Sequence, residues 1–334
     1  MPRALILFVA LAAAAACGPG ARQGAAPPLP GRWTSAAPLP EPRHAVGAAE
    51  LDDEIWVVGG IGTDRRATAR VDVYDPDLDA WRPGPPLPEP LHHVAVAAAD
   101  DRLYAIGGLA GTPALPVATV YALDPDVGRW EIVEPLPRAR GALAVAVVDD
   151  VIYALGGQAL DEIAIRDAWR YDPDEDRWDP LPPMPTAREG LAAAAIGGVV
   201  YAIGGELGSA STALAALESL DTRTLRWERL PPMPTPRGEL AASAFGGRLH
   251  VVGGVTPAGA LDAHEAYDPR DRRWLPLYPF PTPRHRLAAA VAEERLFAVA
   301  GGPDAGPSAS AVNEELAPLA AGSDGGPRAS PAGN

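Results

Sequence analysis

Six short segments place ionisable side chains at one beat of the chain. They read Pro42-Arg43-His44, Pro90-Leu91-His92, Ala139-Arg140-Gly141, Ala187-Arg188-Glu189, Pro236-Arg237-Gly238 and Pro283-Arg284-His285. Five of the six carry Arg at the same position, and a guanidinium presents planar donors suited to holding a carboxylate or another anion by two bonds. The alternative is architectural: an arginine repeated in unit after unit packs between neighbours and bonds loop carbonyls. At the next position stand His44, His92 and His285 in three units and Glu189 in a fourth, with His93 and Glu239 one residue later. Converging imidazoles can ligate zinc, and His44, Glu189 and His285 can act as acid and base. Polar side chains at a wet rim can equally stand there without a task. The sequence assigns them no metal and no cofactor.

Other chemistries are excluded by composition. All 28 basic residues are Arg, so nothing that needs Lys, from a Schiff base to a P-loop, is available. The one Cys is Cys17, which removes internal disulfides, thiolate zinc sites and paired-Cys redox chemistry. A net charge of −15 with no large Arg cluster argues against nucleic acid. The Asp-Pro turns, such as Asp75-Pro76-Asp77 and Asp172-Pro173-Asp174, suggest calcium, but Asp also opens tight turns by bonding its own backbone. His264-Glu265 lacks the second His of a zinc protease helix, and Ser243 has no Gly-x-Ser-x-Gly elbow around it.

The elements that must position these residues follow from a repeat. Trp33, Trp81, Trp130, Trp178, Trp227 and Trp274 lie 48, 49, 48, 49 and 47 residues apart. Glycine doublets keep the same beat at Gly59-Gly60, Gly107-Gly108, Gly156-Gly157, Gly204-Gly205 and Gly253-Gly254, with Ala300-Gly301 in phase in the sixth copy. Each copy contains four strand signals. In the second, an apolar run from His93 to Ala99 meets the turn Asp100-Asp101, then Leu103 to Ile106 runs into the doublet, which is the mark of a hairpin. A loop leads to Val117 to Leu123, and after Asp124-Pro125 a fourth strand carries Trp130 and ends at Pro135.

A glycine doublet after an apolar strand, then Tyr or Leu with Trp seven residues on, resembles the kelch repeat, over about residues 31 to 320. The resemblance implies an all-β, six-bladed β-propeller with four antiparallel strands per blade around a channel. The chain starts on a fourth-strand residue, Trp33, and ends after a third strand near Ala311 to Leu316. The N-terminal strand is therefore expected to complete the sixth blade. In such a ring the six ionisable segments gather at one mouth of the channel, where Arg43, His44, His92, Arg140, Arg188, Glu189, Arg237, Glu239, Arg284 and His285 become candidate ligand-binding residues. The longer loops Leu109 to Pro116, Gln158 to Arg166 and Glu206 to Ala215 are candidate partner contacts, while Trp169 is expected to pack in or beside its blade.

Outside the ring, Arg3 and the apolar run Ala4 to Ala16 read as a signal peptide over residues 1 to 16. Ala14-Ala15-Ala16-Cys17 resembles a bacterial lipobox, which implies a lipidated Cys17 and an outer-membrane-associated domain, periplasmic or at the cell surface. Residues 17 to 30 then form a tether and residues 321 to 334 a disordered tail. Two functions fit. One is a lipid-anchored module that binds a protein or glycan through the mouth, touching membrane only through its anchor. The other is a carbohydrate-active enzyme that resembles the kelch sialic acid mutarotases. A copper oxidase of the galactose oxidase type would need a Cys that the mature domain lacks.

Overall fold

Short apolar runs joined by two residues of positive φ make the first hairpin of every repeat, because that turn matches the right-handed twist of its strands. In the first repeat Gly47–Leu51 pairs with Glu54–Val58 through Asp52 and Asp53, at φ 56° and 62°. Val71–Asp75 and Ala80–Pro83 add outward, giving four antiparallel strands in chain order. The computed structural model describes residues 30–160, 164–208, 212–304, 306 and 308–318. Over these residues six four-stranded sheets form a six-bladed propeller. The expected signal peptide, Cys17 and the C-terminal tail lie outside the described residues.

The innermost strand of each blade touches those of its two neighbours, and the sixth, Ala288–Ala292, returns to the first, so the ring is closed. Closure follows the expected route: Pro30–Ser35 is the outer strand of blade six and pairs with Asn313–Pro318, setting Trp33 opposite Leu316. That third strand lies two residues later than the sequence suggests. Pro30 and Pro318 are partners, so both ends of the ring sit on the face that carries the two-residue turns. The mouth with the glycine doublets is on the other face.

Core packing is between blades rather than within them. Trp56, Val58, Val71 and Val73 of blade one form one cluster with Val94, Val96, Leu103 and Tyr121 at blade two. Trp169 packs against the cluster between blades two and three, as expected. The glycine doublets are forced by close approach: a Cβ on Gly59 would stand 2.5 Å from the Leu91 carbonyl oxygen of the next blade.

The repeated Trp residues bolt each blade to the one before. Trp81, Trp130, Trp178, Trp227 and Trp274 donate their indole N–H to the carbonyls of Ala37, Pro85, Glu134, Pro182 and Pro231 at 2.8–2.9 Å. Each acceptor lies four residues beyond the preceding blade's Trp. The Asp-Pro turns are bonded to themselves, Asp75 Oδ1 accepting from the N–H groups of Asp77 and Leu78. That is the turn-opening role rather than a calcium site.

Candidate functional site at the channel mouth

Entering each inner strand, the chain makes one left-handed residue, and these six residues are stitched into a ring. Ala45, His93, Ala142, Gly190, Glu239 and Arg286 have φ between 49° and 55°. His93 N–H donates to Ala45 O, Ala142 to His93, Gly190 to Ala142, Glu239 to Gly190, Arg286 to Glu239 and Ala45 to Arg286, all at 2.8–3.0 Å. The inner strand of blade two therefore starts at Ala95, not at His93. A backbone ring asks nothing of its side chains, and Gly or Ala suffices at three of the six positions. The other three are His93, Glu239 and Arg286.

These three meet at the mouth. Glu239 Oε1 lies 3.6 Å from His93 Nε2 and 3.5 Å from Arg286 Nε. His93 Nδ1 is 2.6 Å from His92 Nδ1, so one proton serves both nitrogens. Burial alone would raise the Glu239 carboxyl, but His93, Arg286 and His285 outweigh it and hold the group well below the ordinary carboxylate range. The depression they line, about 90 Å³, is floored by Val46, Val94, Leu143, Leu191, Leu240 and Leu287. Below it runs a channel of about 370 Å³ lined mostly by Ala and Val, with Glu50 and Ser243 among them.

The flanking imidazoles are sunk behind this ring, and burial disfavours their charged forms. Burial first, then Arg286, lowers His44 to about 4, and burial with His93 and Arg286 lowers His92 to about 3. His285 is lowered by burial and bonds the Asp304 carbonyl oxygen through Nε2 at 2.8 Å. The Nδ1 atoms of His44 and His285 are buried without a partner. Glu189 pairs through its backbone with Glu206. His93 and Glu239, an imidazole and a carboxylate 3.6 Å apart, are a further pair placed for acid–base work at this mouth. Among the described residues no three or more His, Cys, Asp or Glu side chains are grouped to hold a metal ion.

The five repeated arginines do not form an electropositive funnel. Arg43, Arg140, Arg188, Arg237 and Arg284 are at most 1 % exposed. Arg43 donates to the carbonyls of Gly59 and Arg70 and to Asp72 Oδ2 at 2.5 Å. Arg188, Arg237 and Arg284 repeat the scheme with Glu218, Glu265 and Glu314. In blade three Trp169 occupies the acid's place, and Arg140 bonds the Gly156 carbonyl with Asp167 at 3.7 Å. Burial lowers Arg43, Arg140 and Arg284 to about 10, still cationic near neutrality. Blade two, which has Leu91 instead of Arg, has Tyr121 at the acid's position. Arg and acid are lost together there, as expected if each serves the other within its blade.

Arg286 was missed by sequence reasoning because it stands two residues past the repeated Arg. The available signal was departure from the repeat: that position is Ala or Gly in half the blades.

Residues 31–205 match the KLHDC2/KLHL20/DRC7 Kelch-repeats domain and residues 187–234 the Kelch motif. No curated protein matches the sequence. Among solved structures the chain is similar to one described as "Structure of YjhT", with a TM-score of 0.72 and 17% identity, over 85% of this chain and 97% of that one.

Proposed function

Since the chain belongs to the kelch-repeat family, we propose that it is an exported, lipid-anchored propeller that binds a protein or glycan through its channel-mouth face. The observation that carries this reading is the placement of His93, Glu239 and Arg286 on a backbone ring that needs no side chains. Charged groups there are free to serve a ligand, whereas the repeated arginines are committed to the blades. Pro30, where the described strand begins, lies on the face opposite the mouth, which supports an anchor on that side with the mouth left accessible. Affinity capture with the wild-type chain and with Glu239→Gln/Arg286→Ala tests the reading, and a panel of glycans is probed in parallel. Capture should fall at least tenfold in the double variant, and unchanged recovery would place the contact elsewhere. Radiolabelled palmitate should be incorporated by wild type and not by Cys17→Ala.

A second reading is a carbohydrate-active enzyme resembling the kelch sialic acid mutarotases. The observation that favours it is the His92–His93–Glu239 chain, in which an imidazole stands between a second imidazole and an ionised carboxylate. Anomer exchange of sugar acids followed by NMR should be accelerated by wild type and lost in His93→Ala. Absence of any acceleration across a panel removes this reading and leaves the binding module standing.

A further inference from the structure

Five of the six repeated Trp bolts end on a carbonyl oxygen, which cannot titrate at moderate pH. The sixth does not. By the spacing of the others Trp33 would donate to Tyr278, four residues past Trp274. Its indole N–H instead donates to Nδ1 of His264 at 3.2 Å. His264 Nε2 in turn lies 2.9 Å from His250 Nδ1. This exception falls at the one seam of the ring, where the first strand, Pro30–Ser35, closes the last blade. We propose that the seam is an acid-sensitive latch: a proton taken up by the His250–His264 pair releases Trp33 and loosens the strand that closes the ring.

Counting protons gives the reason. Trp33 can donate only if His264 Nδ1 is bare, so His264 carries its hydrogen on Nε2. That hydrogen points at His250 Nδ1, which must be bare as well, and His250 carries its hydrogen on Nε2. Both rings must therefore be neutral for the chain of bonds to stand. A proton on His264 Nδ1 displaces the indole, and one on His250 Nδ1 sets two N–H groups against each other.

The surroundings oppose charge on either ring. His250 is 2 % and His264 4 % exposed. Arg248, bonded to Asp268, bears on His250, and Arg237, bonded to Glu265, bears on His264; both cations disfavour a further positive charge. Phe245 packs edge-on against His250, while Trp33 packs edge-on against both His264 and Phe280. The group that favours charge is the Tyr278 carbonyl, which faces His264. It is the acceptor that Trp33 would have by analogy, and it is ready to take a hydrogen from a charged His264. His264 also lines an outer groove of about 310 Å³ with Gly31, Pro276, Tyr278 and Pro279, a route for water to reach the ring.

Burial lowers His250 to about 4 and, with His250 beside it, His264 to about 3. Their contribution is therefore complete above the ordinary value of 6.5 and is lost as pH falls from there toward 4 and 3.

The test is NMR on the purified chain labelled with ¹⁵N-tryptophan, with Trp33→Phe assigning the seam signal. Between pH 7.5 and 4.5 protection of the Trp33 indole, corrected for intrinsic exchange, should fall at least about a hundredfold. The other five repeat indoles should keep theirs. His264→Asn retains an uncharged acceptor and leaves one titrating ring, so it should make the Trp33 profile shallower. Should that variant fail to fold, His250→Gln decides, since one titrating ring in place of two should lower the steepness of the loss. Trp33 moving in step with the other five, or a variant with the wild-type profile, would overturn the latch.

Discussion

The six histidines of the chain fall into two groups that use the same side chain in opposite ways. At the mouth His44, His92, His93 and His285 surround Glu239 and Arg286, on a backbone ring that holds without them. At the seam His250 and His264 bond each other, the nearby carboxylates Asp268 and Glu265 being taken by Arg248 and Arg237, and the two rings are themselves the link between Trp33 and blade five. Where the backbone supplies the structure, side chains are released for chemistry. Where side chains supply the structure, their titration becomes a property of the fold.

The contrast can be broken first by stability measurements. Trp33→Ala empties a site packed against Phe280, Val252 and Leu296 and should cost about 3–5 kcal/mol in urea unfolding. Glu239→Gln at the mouth removes a shielded ion pair with His93 and Arg286 but leaves the backbone ring, and should cost less, about 1.5–3 kcal/mol. Equal losses would erase the distinction between the two regions.

The buried arginines are a control on the architectural side. Arg284→Leu leaves Glu314 without its cation and should cost about 3 kcal/mol or more. Arg284→Leu/Glu314→Tyr copies the Leu91 and Tyr121 pair of blade two and should cost measurably less than the single change. A double variant worse than the single would show that the pair is not self-contained.

A smaller effect is expected from pH. His44, His92, His250, His264 and His285 are all shifted downward from 6.5, so the unfolding midpoint should fall as pH drops from 6.5 to 5. His264→Asn should reduce that fall, and Glu239→Gln should not reduce it by way of the seam. The smallest effect belongs to the ring itself. Ala142 sits at φ 51°, where Gly is less strained but looser when unfolded, so Ala142→Gly should shift stability by no more than about 1 kcal/mol.

Much of the fold is legible because the repeat writes each constraint six times. The Trp beat, the glycine doublets and the out-of-phase ends led to six blades and to the strand that closes them. The mouth was legible as a place but not as a set of residues. Arg43 and its equivalents read equally well as ligands or as packing, since spacing does not say whether a guanidinium points to water or into its blade. His93, Glu239 and Arg286 stand in three different repeats, and no local pattern joins them.

The amino-acid sequence alone determined the blade count, the order of strands and the seam, because backbone periodicity, turn chemistry and apolar alternation are local properties that add up along the chain. Only the tertiary structure decided which polar groups are spent on the fold and which face the mouth. Burial and hydrogen-bond partners belong to three-dimensional neighbours: Trp33 and His264 are 231 residues apart in the chain, and Glu239 meets His93 across the ring.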